Sequence, residues 1–167
     1  MPAVEHESLG RRRRVAALAS TALLALVLDQ VTKAVVRASL PVGEARPLLP
    51  GVIELLHVEN TGAAFSMGEG ATMAFVVVAL VVVAGAVALA WREPLPAWLS
   101  ALLGCVVGGG VGNMVDRIAA GSVTDFLATT FMDFPVFNVA DIFVTCGIAA
   151  SLVGYWWWDS RRGGDAS

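Results

Sequence analysis

The chain of 167 residues is 57% hydrophobic and 15% charged, with a formal net charge of −3 and a mean hydropathy of +0.74. Soluble domains carry about 25% charged and about 45–50% apolar residues; here the apolar excess is gathered into long runs, which excludes a soluble globule and defines an integral membrane protein. Two cysteines inside apolar runs (Cys105, Cys146) and two distant histidines (His6, His57), with no HExxH or Cys/His cluster, leave no support for a disulfide, a zinc site or any other cofactor.

Residues 1–14 are polar and end in Arg11-Arg12-Arg13-Arg14. The apolar run behind them is longer than a secretory h-region of about 7–15 residues and ends in charged groups, so a retained membrane helix is expected. Four hydrophobic segments follow: Val15–Val36, Ala71–Trp91, Ala97–Ile118 and Phe137–Trp158. Each is close to the roughly 20 residues that cross a bilayer core, where the absence of water requires helices. Arg11–Arg14, Arg92 and Arg161-Arg162 all fall on one side of such a four-span chain, and the positive-inside rule makes that side cytoplasmic, with Trp156-Trp157-Trp158 as an interfacial belt. Both termini are then cytoplasmic: a basic segment at 1–14, a transmembrane domain at 15–158 and a tail at 159–167.

The opposite side holds Arg37–Gly70 and Ala119–Val136. Val52–Val58 (VIELLHV) has the branched, apolar content of a short strand, and His57 reads as a residue of that strand. The polar turn Glu59–Ser66 follows it. The expected fold is therefore an all-α membrane protein of four transmembrane helices with a small extracytoplasmic β-structured cap over about residues 37–70.

The stretch Gly104–Asp141 contains Asp116, Asp125, Asp133 and Asp141, with Asn113 and Asn138 three residues before two of them. Acids held between oily segments are costly and usually functional. At a rise of about 1.5 Å per residue, Asp29 and Lys33 lie about 21 Å or more into the first helix, Asn113 and Asp116 about 24–29 Å across the third, and Asn138 and Asp141 just below the outer surface. The costly groups thus converge in the outer leaflet, while the inner halves of the helices read as apolar, which argues against a proton relay spanning the membrane. Gly104, Gly108 and Gly112 form a small-xxx-small stripe that allows close helix packing.

Two facing carboxylates cannot both ionise cheaply, so one keeps a proton while the other serves as a base towards water. This chemistry cleaves an amide without a metal. Asp116, followed by Arg117, is expected to form a structural ion pair with it. Asp125 and Asp141, without a neighbouring cation, are better placed to share a proton, and Asp133 is expected to be solvated. Asp29 and Lys33, at i and i+4, form a self-neutralising pair with a supporting or substrate-contacting role.

The chain closely resembles the bacterial lipoprotein signal peptidases (signal peptidase II). The resemblance rests on Asp29-Gln-Val-Thr-Lys33, Asn60-Thr-Gly-Ala-Ala-Phe-Ser66, Gly-Asn113-Met-Val-Asp116-Arg117, Val-Thr-Asp125-Phe and Phe-Asn138-Val-Ala-Asp141, in that order. It implies a bacterial cytoplasmic-membrane aspartic endopeptidase that removes signal peptides from diacylglyceryl-modified prolipoproteins just before the lipidated cysteine and is inhibited by the cyclic peptide globomycin. Membrane lipids, and no nucleic acid, are the other implied partners. It also implies Asp125 and Asp141 as the catalytic dyad, Asn60, Gly62, Asn113, Arg117 and Asn138 as the pocket, and Asp29, Lys33 and Asp116 as its support. Thr124, where the family is often aliphatic, is a mild departure. The N-terminal extension and the C-terminal tail lie outside the match.

Overall fold

In the structure, a computed structural model, residues 2–62 and 72–164 are described. The elements run α1 (Pro2–Ser39), β1 (Ala45–Leu49), β2 (Ile53–Asn60), α2 (Thr72–Arg92), α3 (Ala97–Ala120), β3 (Val123–Thr129) and α4 (Val139–Gly164). Four helices are long and apolar enough to cross a membrane, over Leu9–Ser39, Thr72–Arg92, Ala97–Ala120 and Val139–Arg162. The expected helices are all present. The first extends back through the basic segment, because Arg and Ala are good helix formers and no proline lies between Pro2 and Val15, Gly10 being the weakest helix former among them. The Ala63–Ser66 end of the polar turn, and Ala71 as a helix start, lie outside the described residues.

Helix α3 is the centre of the bundle and packs against α1, α2 and α4. The glycine stripe explains the closeness. A Cβ built on Gly104 would strike the Leu18 carbonyl, one on Gly108 the Ala22 carbonyl, and one on Gly112 the Asp29 carboxylate, all on α1. Gly109 faces the other way, against the Ala140 carbonyl of α4. With lipid outside, apolar burial supplies little driving force between helices, and contact of this kind substitutes for it. Gly108→Val is therefore expected to destabilise the protein by about 1–3 kcal/mol through overpacking. Gly110→Ala, whose Cβ would meet only Val83 Cγ2 at 3.5 Å, should be neutral or stabilising, since Ala outranks Gly in helices by about 1 kcal/mol. Thermal unfolding in detergent compares the two.

The inner halves of the helices are not wholly apolar. Ser100 and Ser151 are buried there, and Thr21 donates to the Ala101 carbonyl at 2.8 Å, tying α1 to α3. At the same end of the bundle Arg14 donates to the Ala90 carbonyl, Arg11 stacks on Trp91 and Arg161 on Trp157. The three arginine clusters therefore share one end.

The other end carries a three-stranded antiparallel sheet in the order β1-β2-β3. The expected strand at Val52–Val58 is the central one, β2. Strand β3 lies in the Ala119–Val136 segment, beyond the residues 37–70 over which the cap is expected. It forms a strand because Gly121, at φ 78°, ends α3 in a left-handed turn that returns its N–H to the Arg117 carbonyl, and the following Val-Thr-Asp-Phe-Leu alternates across the sheet faces. The cap is thus built from two chain segments separated by two transmembrane helices. Val36, Leu40 and Phe126 form a small core under the sheet, with Leu55, Leu127 and Val139 packed against it. Phe137 exchanges backbone hydrogen bonds with Leu127 (3.1 and 2.8 Å) and so ties the start of α4 to β3.

Candidate active site

Each acid is placed by a different local device. Asp125 sits on β3, where strand alternation sends its side chain to the same sheet face as Val123 and away from Thr124. It is buried (3% exposed). Asn60, at the end of β2, donates through Nδ2 to Asp125 Oδ2 at 2.8 Å. The Asn60 Oδ1 is engaged by the Gly62 N–H at 2.9 Å, which fixes the amide so that its donor end faces Asp125. Arg117 in turn donates to the Gly62 carbonyl at 3.0 Å and stacks over Phe75, so it anchors the turn that carries Asn60.

Asp141 lies in the first turn of α4. The Asn138 N–H donates to Asp141 Oδ2 (3.1 Å) and the Asp141 N–H to Asn138 Oδ1 (3.0 Å). This reciprocal pair is a capping box with Asn and Asp in place of Ser and Glu. The Asn-x-x-Asp spacing visible in the sequence is therefore a helix start, and it leaves Asp141 Oδ1 and the Asn138 amide nitrogen free to face the site. Asn138 Nδ2 donates to Asp125 Oδ1 at 2.6 Å; Asn113 Nδ2 donates to Asp141 Oδ1 at 2.8 Å. Asn138 therefore holds both acids, one through its backbone and one through its side chain.

Behind the acids lies a charged layer. Lys33, fully buried, pairs with Asp29 at 2.9 Å and with Asp116 at 2.9 Å. Its ammonium also donates to Asn113 Oδ1 at 2.8 Å. An ammonium only donates, so this contact fixes the Asn113 amide with its NH₂ towards Asp141. Asn138 Nδ2 also reaches Asn113 Oδ1, at 3.1 Å. Asp29 Oδ1 accepts the Ala140 N–H at 2.9 Å, which joins α1 to the first turn of α4. The expected Asp116–Arg117 ion pair is not formed. Consecutive helix residues point about 100° apart, so Asp116 faces α1, where it meets Lys33 and Arg37 (3.6 Å). Arg117 faces the turn after β2. Asp29, Lys33 and Asp116 thus form a three-charge cluster, wider than the two-residue pair expected.

Two participants were missed. Gln30 donates to Asp29 (3.1 Å), Asp116 (3.2 Å) and the Gly112 carbonyl (3.2 Å). Arg37 reaches Asp116 and Thr124. Arg37 continues the i, i+4, i+8 series begun by Asp29 and Lys33, and that spacing was the available signal. Gln30 carried none. Asp133 is exposed as expected, and His57 is a buried residue of β2.

Asp125 and Asp141 line one cavity of about 560 Å³, together with Asn60, Asn113 and Arg117. Its remaining walls are apolar, formed by Phe134, Phe137 and Ile142 among others. Burial pushes the Asp125 carboxyl up to about 6; the Asp141 charge adds to the rise, while hydrogen bonds from Asn60 and Asn138 and the field of Lys33 oppose it. No group of three or more His, Cys, Asp or Glu among the described residues converges as a metal site would. The arrangement pairs a carboxyl that holds its proton unusually well with a second carboxylate across an apolar cleft, which suits general acid–base attack of water on an amide.

The chain is similar to a family of known membrane enzymes. The family model described as signal peptidase (SPase) II matches residues 21–157. A lipoprotein signal peptidase of Gloeobacter violaceus is 44% identical over 134 residues, covering 80% of this chain and 78% of that protein. One of Streptococcus pyogenes serotype M2 is 35% identical over 135 residues, covering 80% and 89%. Two solved structures, both described as bacterial membrane enzymes, share the fold: one with a TM-score of 0.80 at 23% identity over 87% of this chain and 90% of that one, the other with 0.77 at 24% over 84% and 93%.

Proposed function

The chain belongs to the signal peptidase II family and so to the membrane peptidases that process lipoprotein precursors, and from that membership we propose that it is an aspartic endopeptidase cutting diacylglyceryl-modified prolipoproteins immediately before the lipidated cysteine. The observation that carries the reading is the pair Asp125 and Asp141 on one cavity, each oriented by an asparagine that is itself held in place.

In this mechanism Asp125 holds the shared proton and hydrogen-bonds the scissile carbonyl. Ionised Asp141 takes a proton from a water lying between the acids, and the water oxygen adds to the carbonyl carbon. Asp125 delivers its proton to the carbonyl oxygen as it becomes the tetrahedral hydroxyl. Asp141 then returns the proton it took to the departing amine, the C–N bond breaks, and one tetrahedral hydroxyl gives its proton back to Asp125 as the carbonyl reforms. Asn60, Asn113 and Arg117 line the pocket, Gly62 and Asn138 hold it through Asn60 and the two acids, and Asp29, Lys33 and Asp116 support it from behind. Globomycin, as a cyclic peptide, would occupy the same cleft.

The arginine clusters share the end of the bundle away from the sheet, which by the positive-inside rule supports cytoplasmic termini and acids near the outer surface of a bacterial cytoplasmic membrane. The substrate's acyl chains lie in that outer leaflet. Water reaches the dyad there without crossing the core.

The test is incubation of the purified protein in lipid with matched lipidated and unlipidated precursors. A new N-terminus at the lipidated cysteine, and no cleavage of the unlipidated form, is expected by mass spectrometry; equal cleavage of both would overturn the substrate assignment. The same assay carries a pH prediction. Asp125 must be protonated to donate, so kcat/KM should fall as pH rises through the free enzyme's apparent value of about 6. A flat profile from about pH 5 to about pH 8, which brackets the raised value of about 6, would remove Asp125 from the acid role.

A further inference from the structure

The face of the sheet turned away from the cavity holds a second polar cluster that the mechanism does not use. Thr124 Oγ1 donates to Glu59 Oε1 at 3.0 Å and accepts from Arg37 at 3.0 Å. Ser122 Oγ donates to Glu59 Oε2 at 2.6 Å. His57 Nε2 lies 3.1 Å from Glu59 Oε1, and its Nδ1 lies 2.6 Å from the Leu40 carbonyl. Burial alone would push the Glu59 carboxyl up, but the hydrogen bonds from Ser122, His57 and Thr124 outweigh it and hold it below its usual value. The titratable and charged groups around Glu59 are thus His57 on its own strand and, from α1 through Thr124, Arg37, which also faces Asp116 of α3.

The position of this cluster matters because of the strand register. Strands β2 and β3 pair as Leu55↔Leu127 and then as Val58↔Asp125, Glu59↔Thr124 and Asn60↔Val123. Between the two sets Leu56 and His57 face Phe126 alone, so a bulge interrupts the ladder directly before Asp125. Beyond a bulge, the upstream pairs no longer dictate which residue faces which. A slip of one residue would send Asp125 to the back face and Thr124 into the cavity. Glu59 and Thr124 are the cross-strand pair next to Val58↔Asp125, and each immediately precedes a residue that faces the cavity, Asn60 and Asp125 respectively.

We propose that Glu59 and Thr124, anchored by Arg37 to Asp116, form a register clamp on the back of the sheet that positions Asp125 and Asn60 in the cavity. The proposal rests on the reading of Asp125 as a catalytic acid. Thr124 and Glu59 are positioning residues, acting through the strand and not on the substrate.

The test compares Thr124→Val, which keeps the shape and removes the hydroxyl, with Thr124→Ser, which keeps the hydroxyl. Thr124→Val should lower kcat about tenfold, as expected for a small misplacement of a reacting group, with KM for the lipidated precursor unchanged. It should also move the upper limb of the pH profile to lower pH, because a loosened Asp125 is better solvated. Thr124→Ser should restore both, and Glu59→Gln should reproduce the valine phenotype in part. Wild-type kcat and pH profile in Thr124→Val, or losses that Thr124→Ser fails to restore, would overturn the clamp. If Asp125→Asn proves active, the catalytic reading fails by itself, and amide hydrogen exchange then tests the clamp independently. Faster exchange at residues 123–125 in Thr124→Val than in wild type supports it, and unchanged exchange overturns it.

Discussion

Asp125→Asn and Asp141→Asn are each expected to lower turnover of a lipidated prolipoprotein on the order of a thousandfold, the upper range for loss of a general acid or base. Neither change should prevent insertion. An asparagine at 125 keeps one acceptor for Asn60 or Asn138 but turns its NH₂ on the other, whose amide also donates; the mismatch costs about 1–3 kcal/mol. The same holds at 141, where Asn113 and the Asn138 N–H both donate. The measurements are single-turnover cleavage alongside thermal unfolding and binding of the lipidated substrate. Retained folding and binding with lost cleavage is the expected result. Full activity in either variant would end the dyad assignment. Asp116→Asn is the informative contrast. Asp116 does not line the cavity and faces Lys33, so its loss should be felt in stability before chemistry. Lost turnover in Asp116→Asn with a normal fold, together with an active Asp125→Asn, would reassign the pair to Asp116 and Asp141.

Lys33→Met should have the largest effect on stability. Lys33 is fully buried between two carboxylates at 2.9 Å each. Removing the cation leaves Asp29 buried without a cationic partner and Asp116 with only Arg37, at 3.6 Å; breaking a buried pair in this way costs about 3–5 kcal/mol in comparable settings. The triple variant Asp29→Asn, Lys33→Met, Asp116→Asn removes the charges together and should recover much of that loss. It should not fully recover turnover, because the shorter of the two bonds that fix the Asn113 amide with its donor towards Asp141 is then lost and only that from Asn138 remains. A stable, inactive triple variant would separate what the charge cluster does for the fold from what it does for the site. An active one would show that Asn138 alone suffices to orient Asn113.

The sequence made the bundle plain because bilayer-length apolar runs have few alternatives, and the arginine clusters ordered the ends. Depth counting brought Asp29, Lys33, Asn113, Asp116, Asn138 and Asp141 to one end, and the structure joins all six in one hydrogen-bonded network with Asp125. Three features could not be read in the same way. The Asp116–Arg117 adjacency suggested a pair that helix geometry forbids. The Val123–Thr129 stretch gives a strand signal only when β2, more than sixty positions earlier, is there to pair with it. Gln30 looked like an ordinary polar residue of a helix, because its role depends on Asp116 arriving from another helix. Signals local to one segment were legible, and those made by two distant segments were not.

The hydrogen bond between Asp29 and the Ala140 N–H spans 111 positions and bears on biogenesis. During synthesis α1 enters the bilayer first and α4 last, and α4 brings Asn138, Ala140 and Asp141 together. Until it arrives, Asp125 has no second acid, Asn113 has no carboxylate to orient, and Asp29 lacks its backbone donor. With Asp125 and Asp141 as the proposed dyad, the site is completed only when α4 inserts, and a chain lacking α4 is expected to leave precursors uncut. A chain arrested before Val139 would be inert and would also leave polar groups without partners at depth in the lipid, a defect that membrane quality control can recognise.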